Sequence, residues 1–244
     1  MSKKEDQPKA GLSKSSFLKE VDAADKWEEI HRAVAVPEYR LETEGESPRV
    51  LLLVVRRKKK RGRWEFPGGA MEYESGTPIT GETVVFRAGS EFYEETGVST
   101  LFPNGEFDSN SVKVYPMTEN PSLNQYFLKF RDSRKKRYIY SHPVLIKMGI
   151  KSLPQLNPEK YGKPEIDDYR FIDVTNLYGA DYRKHIRKWY DALTNPNLPF
   201  QKDPVNDRIL TLSETDEPNT EIHHFSETTV GVMNVYLNKI LDFA

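Results

Sequence analysis

Residues 64–98 constrain this chain more than any other stretch. Trp64-Glu65-Phe66 has strand character and is broken by Pro67-Gly68-Gly69. From Glu82 to Glu95 the apolar residues Val84, Val85, Ala88 and Phe92 recur at helical spacing, which predicts a helix. Thr96-Gly97 supplies the stop, with Gly97 as a left-handed cap. On that helix Glu91, Glu94 and Glu95 stand at i, i+3 and i+4, so one face presents three carboxylates together. Like charges at this spacing repel by a few tenths of a kcal/mol per pair, roughly. Divalent cations relieve that repulsion, and hard ions such as Mg²⁺ or Mn²⁺ favour carboxylate oxygen. Taken alone, such a cluster is more often a solvated acidic face.

Composition narrows the chemistry further. The 244 residues contain no cysteine, which excludes disulfides, thiolate nucleophiles and every Cys-containing metal site. Lys and Arg number 36 against 37 Asp and Glu, so neither a uniformly basic coat nor an acidic tail is present and charge must act in local clusters. No apolar run reaches the ~20 residues of a membrane span. Residues 1–16 have no apolar segment of a secretory signal. The expectation is a protein that is not secreted, cytoplasmic or mitochondrial, without a membrane partner.

Along the chain, a Lys/Ser-rich lead-in precedes Phe17, Leu18, Val21, Ala24 and Trp27, whose spacing predicts a helix stopped by Pro37. Residues 1–45 are set apart as a partly disordered N-terminal extension, and 46–244 as one domain. Arg49–Val55 has the length and continuous apolarity of a buried strand. Further strand-like pieces are 112–115, 125–130, 138–140 and 169–174. A helix is predicted over 181–193, a long loop over 196–225, and a last helix over 226–243 with Ser226 as N-cap. Strands mixed with helices predict a layered α/β (α+β) domain.

The succession of strand, glycine turn, carboxylate helix and glycine stop resembles the Nudix box. That pattern is G, five residues, E, seven residues, then R-E-U-x-E-E-x-G-U with U apolar. Gly76, Glu82, Glu91, Phe92, Glu94, Glu95, Gly97 and Val98 fall on this spacing. An insertion, Tyr73–Thr80, separates Gly68-Gly69-Ala70-Met71-Glu72 from Gly81-Glu82, so Gly69 rather than Gly76 is taken as the family glycine. The resemblance implies an α/β/α sandwich around a mixed sheet, with N- and C-terminal extensions. It further implies hydrolysis of nucleoside diphosphate-linked compounds, with Glu91, Glu94 and Glu95 as catalytic residues and ligands of Mg²⁺ or Mn²⁺. Glu82 would be structural, and Glu165 is the candidate late acid, with Asp167 and Asp168 as competitors. One departure is Ser90, where the family carries the Arg that holds the glutamates. Arg87 lies on the same helical face and is either its replacement or an ordinary surface partner.

Two basic clusters complete the inventory. Arg57, Lys58, Lys59, Lys60, Arg61 and Arg63 lie between the two strands that lead into the box. Arg134, Lys135, Lys136 and Arg137 lie beside Phe130, Tyr138 and Tyr140. Both are expected on hairpin turns, either simply solvated or suited to a polyphosphate or RNA backbone. Two functions stay open. One is a metal-dependent pyrophosphohydrolase acting on a nucleotide or an RNA 5′ end. The other is a Nudix-fold subunit of low or no activity that binds RNA in a mitochondrial ribonucleoprotein. Protein partners would be met through the terminal extensions.

Overall fold

Apolar residues of the first strands are buried on both faces, which makes them the interior of a sheet rather than its edge. The computed structural model describes residues 27–58, 63–72, 79–98, 112–117, 127–156, 166–194, 200–212 and 225–242. Ten described strands form one sheet: β1 (Glu28–Leu41), β2 (Arg49–Arg57), β3 (Trp64–Glu65), β4 (Gly68–Ala70), β5 (Lys113–Pro116), β6 (Leu128–Asp132), β7 (Arg137–Ile150), β8 (Ile166–Asp173), β9 (Phe200–Lys202) and β10 (Ile209–Leu212). The main path runs β5-β7-β1-β2-β8-β10-β9, with β3 on β2, β4 on β1 and β6 on β7. The pairs β1–β7 and β8–β10 are parallel and the rest antiparallel, so the sheet is mixed.

Among the described residues three α-helices cover it. On one face α1 (Gly81–Thr96) packs Val84, Ala88 and Phe92 on Ala33, Ala35, Leu51, Leu53 and Ile146. On the other, α2 (Tyr182–Thr194) and α3 (Glu227–Asp242) bury Trp189, Leu193, Val232, Met233 and Tyr236 against Val34, Val36, Leu52 and Val54. Odd residues of β1 and β2 thus face α1 and even residues face α2 and α3, as the period of two requires. The result is an α/β/α sandwich of the α+β type. No described helix is long and apolar enough to cross a membrane.

Two expectations are corrected. The stretch predicted to be helical up to Pro37 is, from residue 28, the central strand β1. Neighbouring strands pair both of its edges, and α1 on one face and α2 and α3 on the other bury both of its faces, so it lacks the one-sided alternation that marks a half-exposed strand. The sheet therefore begins inside the segment set apart as an extension. The predicted loop 196–225 contains β9 and β10 at the sheet's edge. The turn between them is closed by Asp203, which accepts from the Val205 and Asn206 amides at 2.8 and 3.1 Å. Other boundaries agree. Gly97 caps α1 with φ of 77°, and Ser226 Oγ accepts from the Thr229 amide at 3.2 Å at the start of α3.

Candidate active site

The site forms where α1 passes the glycine turn. Thr80 caps the helix: its hydroxyl accepts from the Thr83 amide at 3.3 Å, and the Thr83 hydroxyl accepts from the Thr80 amide at 3.1 Å. Glu82 stands exposed in the first turn, where its charge suits the helix dipole. One turn from the other end, Glu91 and Glu95 are each only 2% exposed, while Glu94 is half-buried. The buried pair points at β4. Gly69 meets Glu91 directly: a Cβ built there would lie 2.2–2.5 Å from the three carboxylate atoms. A Cβ on Gly68 would lie 2.5 Å from the Ala33 carbonyl oxygen of β1. The first glycine lets the strands pair and the second seats a carboxylate.

Three arginines neutralise this acidic pocket. Arg87 pairs with Glu91, reaches Glu94 at 3.6 Å and donates from Nε to the Ala70 carbonyl at 3.2 Å. Ser90 turns its hydroxyl back to the Phe86 carbonyl at 3.1 Å. Arg87 thus brings a guanidinium to both Glu91 and Glu94. Arg57 pairs with Glu95, donates to the Gly68 carbonyl at 2.7 Å and approaches Glu65 at 3.3 Å. Arg32 of β1 donates to the same carbonyl at 3.4 Å.

Burial and crowding shift two of these groups. Loss of water, followed by the charges of Glu91 and Glu65, outweighs Arg57 and pushes the Glu95 carboxyl up to about 7. Burial, helped by neighbouring Arg57, holds Arg32 below its ordinary value despite the nearby glutamates.

The basic run divides. Arg57, expected on a phosphate-binding turn, belongs to β2 and points inward with an 11% exposed side chain. Lys58 and Arg63 are exposed, and Lys59, Lys60 and Arg61 lie outside the described residues. Arg134, Lys135 and Lys136 occupy the exposed β6–β7 turn as expected, while Arg137 bonds Asp132 at 3.0 Å. Glu165 and Gly76 also lie outside the described residues. Asp167 accepts from Arg56 at 2.9 Å, and Asp168 gathers Arg170 at 2.8 Å and Arg208 at 3.1 Å, so both competing acids are held by arginines. Sequence reading missed Arg32 and Glu65. Arg32 meets β4 only through strand pairing, but Glu65, charged beside the PGG turn, was a usable signal.

Among the described residues no three acidic or imidazole groups gather as an ion-holding set. The donor chemistry nevertheless fits a hard divalent ion. Glu91, Glu94 and Glu95 supply carboxylate oxygens, and Glu95 Oε2 is buried without a hydrogen-bond partner. Beside them a cavity of about 470 Å³ is lined by Met71, Glu72, Glu82, Thr83, Phe86 and Arg87. Phe86 is 61% exposed at its wall.

No protein-family model and no curated protein sequence matches the chain. Several solved structures are similar to it. An Ap4A hydrolase of C. elegans is 12% identical, over 64% of this chain and 89% of its own, with a TM-score of 0.36. A MutT/nudix family protein of Enterococcus faecalis is 13% identical, over 95% and 70%, with a TM-score of 0.42. A NUDIX hydrolase of Nitrosomonas europaea is 11% identical, over 90% and 96%, with a TM-score of 0.40. Likeness at this level is distant, so the chemistry has to come from this chain's own residues. This chain has a mixed sheet between helices, with a glycine turn set against a carboxylate-bearing helix capped by Gly97.

Proposed function

We propose that the chain is a divalent-metal-dependent hydrolase of phosphoanhydride bonds in nucleoside diphosphate-linked compounds. One observation carries this reading: Glu91, Glu94 and Glu95 share one helix face, and arginines of helix and sheet fix them against Gly68-Gly69. Glu91, Glu94 and Glu95 would hold Mg²⁺ or Mn²⁺. Such an ion, when bound, neutralises phosphate oxygens and lowers the pKa of water. The chain's own residues then do the positioning. Arg87 orients Glu91 and Glu94 together, the part that the family assigns to residue 90. Gly69 leaves room for the Glu91 carboxylate. Arg57 holds Glu95 toward the Gly68 carbonyl. The exposed ring of Phe86 and the Arg87 guanidinium border the cavity and offer a stacking face and a positive charge to a nucleotide.

A second reading has its own support. Ser90 stands where the resemblance expects an arginine, and Arg57 already pairs with Glu95, which favours a Nudix-fold subunit of low or no activity that binds RNA. Nucleotide or phosphate release with Mg²⁺ or Mn²⁺ decides between them, using dinucleoside polyphosphates, ADP-ribose and 5′-triphosphorylated RNA. Turnover lost in Glu94→Gln and Glu95→Gln supports the hydrolase. No metal-dependent turnover on any of these substrates sinks it and leaves the binding subunit.

A further inference from the structure

The face of the sheet that carries α1 changes character toward the start of β1 and β7. Under the helix it presents Ala33, Ala35, Val144 and Ile146. Beyond it the same alternation brings up His31 and Trp27 on the β1 side, and His142, Tyr140 and Tyr138 on β7. These rings form a ladder. Trp27 stacks on Tyr138 with centroids 5.0 Å apart, and His31 stacks on Tyr140 at 4.7 Å and on His142 at 5.2 Å. The neighbouring strand β6 lays exposed cations over it. Lys129 Nζ lies 4.0 Å from the Tyr138 ring centre, and the Arg131 guanidinium lies 4.6 Å from that of Trp27. Phe130, which alternates to the other face, packs against Gly231 of α3 and plays no part.

From this arrangement we infer a binding track for a single-stranded polynucleotide running along β1, β7 and β6 and ending at the glycine turn. Three observations select that ligand. The partly exposed rings of Trp27, His31 and Tyr138 offer sequence-tolerant stacking above Tyr140 and His142, which are buried, and same-face spacing along a strand is about 6.6–6.8 Å. The charge is complementary to phosphate: Lys129, Arg131, Arg134, Lys135, Lys136 and Arg137 outnumber Glu28, Glu29 and Asp132, the acids among the described residues of these strand ends and their turn. Two of those acids are engaged, Glu29 by the Tyr140 hydroxyl at 2.9 Å and Asp132 by Arg137. Finally, the track leads to the site. The Met71 amide donates to the His31 carbonyl at 2.8 Å, and Gly69, which seats Glu91, pairs with Ala33 two residues further along β1. A strand lying on the ladder brings its end to the carboxylates. That last consequence rests on the hydrolase reading, whereas the track itself does not.

Fluorescence anisotropy with 3′-labelled 12-nucleotide RNA and DNA single strands, and with the corresponding duplex, tests the track on the full chain. The wild type should bind at least one of the single strands, tighter than the duplex and more weakly as salt rises. Lys129→Ala/Arg131→Ala should weaken binding about tenfold or more and flatten the log–log salt slope by about 1.4, at roughly 0.7 per lost phosphate contact. Trp27→Ala should weaken it about fivefold or more through lost stacking. Lys184→Ala/Arg187→Ala removes the same charge from exposed positions of α2 on the opposite face, and should change binding less than twofold. No binding to either single strand, or equal losses in the α2 control and the ladder variants, overturns the track. Single-strand binding with no metal-dependent turnover of dinucleoside polyphosphates, ADP-ribose or 5′-triphosphorylated RNA sinks the hydrolase reading and keeps the track, and hydrolysis of small nucleotides without polynucleotide binding does the reverse.

Discussion

Gly69→Ala separates the site from the fold more sharply than any other single change. The new Cβ would sit 2.2 Å from Glu91 Oε1, 2.3 Å from Cδ and 2.5 Å from Oε2, whereas ordinary contact begins near 3.4 Å. The carboxylate must therefore retreat by roughly 1 Å, a displacement that costs about 100-fold in rate when it misplaces a catalytic group. Because the obstructing atoms are the end of a side chain, the backbone need not move. The stability loss should stay at the low end of the roughly 1–3 kcal/mol typical of overpacking. Gly68→Ala behaves oppositely, since its Cβ would strike the Ala33 backbone oxygen at 2.5 Å, and β4 would have to part from β1. Metal-dependent product release and urea denaturation on both variants provide the assay. Gly69→Ala should lose about two orders of magnitude in kcat while remaining folded, and Gly68→Ala should melt markedly earlier. A Gly69→Ala protein within threefold of wild-type activity would refute the reasoning, because Glu91 would then not need its observed place.

Other perturbations follow from the arginines and from burial. Arg87→Met should abolish turnover and lower stability by about 1–3 kcal/mol, since it strips the partner from buried Glu91. Ser90→Ala should leave both within assay error, its hydroxyl serving only the Phe86 carbonyl. Arg57→Met leaves Glu95 and Glu65 buried without their guanidinium and should cost about 3–5 kcal/mol by chemical denaturation. In metal-free buffer the raised Glu95 carboxyl favours folding below its unfolded value of 4.5, and that contribution is lost as pH rises to about 7. The loss is on the order of 3 kcal/mol, and Glu95→Gln should flatten the stability curve across that window.

How much was legible in the sequence depends on whether the signal was local. The α1 helix announces itself through Val84, Ala88 and Phe92 and its stop at Gly97, and the sheet confirms each of these. The placement of Arg87 beside Glu91 follows from helical spacing alone, whereas its hydrogen bond to the Ala70 carbonyl of β4 does not. β1 was misread because helices cover both of its faces, so its burial follows no helix-like or one-sided strand period. Arg57 was misread for a related reason: of the six basic residues from Arg57 to Arg63 the first still belongs to a strand and points inward. Arg32, Trp27 and Tyr138 could not be connected in advance, because the pairing of β1 with β4 and β7 joins residues far apart in the chain. Short β9 and β10 fall below the length at which alternation can be recognised.

The central claim is that Glu91, Glu94 and Glu95 form a divalent-cation centre despite the arginines that hold them. Titration of the full chain with Mn²⁺, following the free-ion electron paramagnetic resonance signal, tests it most directly. The wild type should remove at least one Mn²⁺ per chain from solution, and Glu91→Gln, Glu94→Gln and Glu95→Gln should each weaken that uptake at least tenfold. A wild type that takes up no Mn²⁺ at millimolar concentration, or one whose uptake survives all three substitutions, would contradict it.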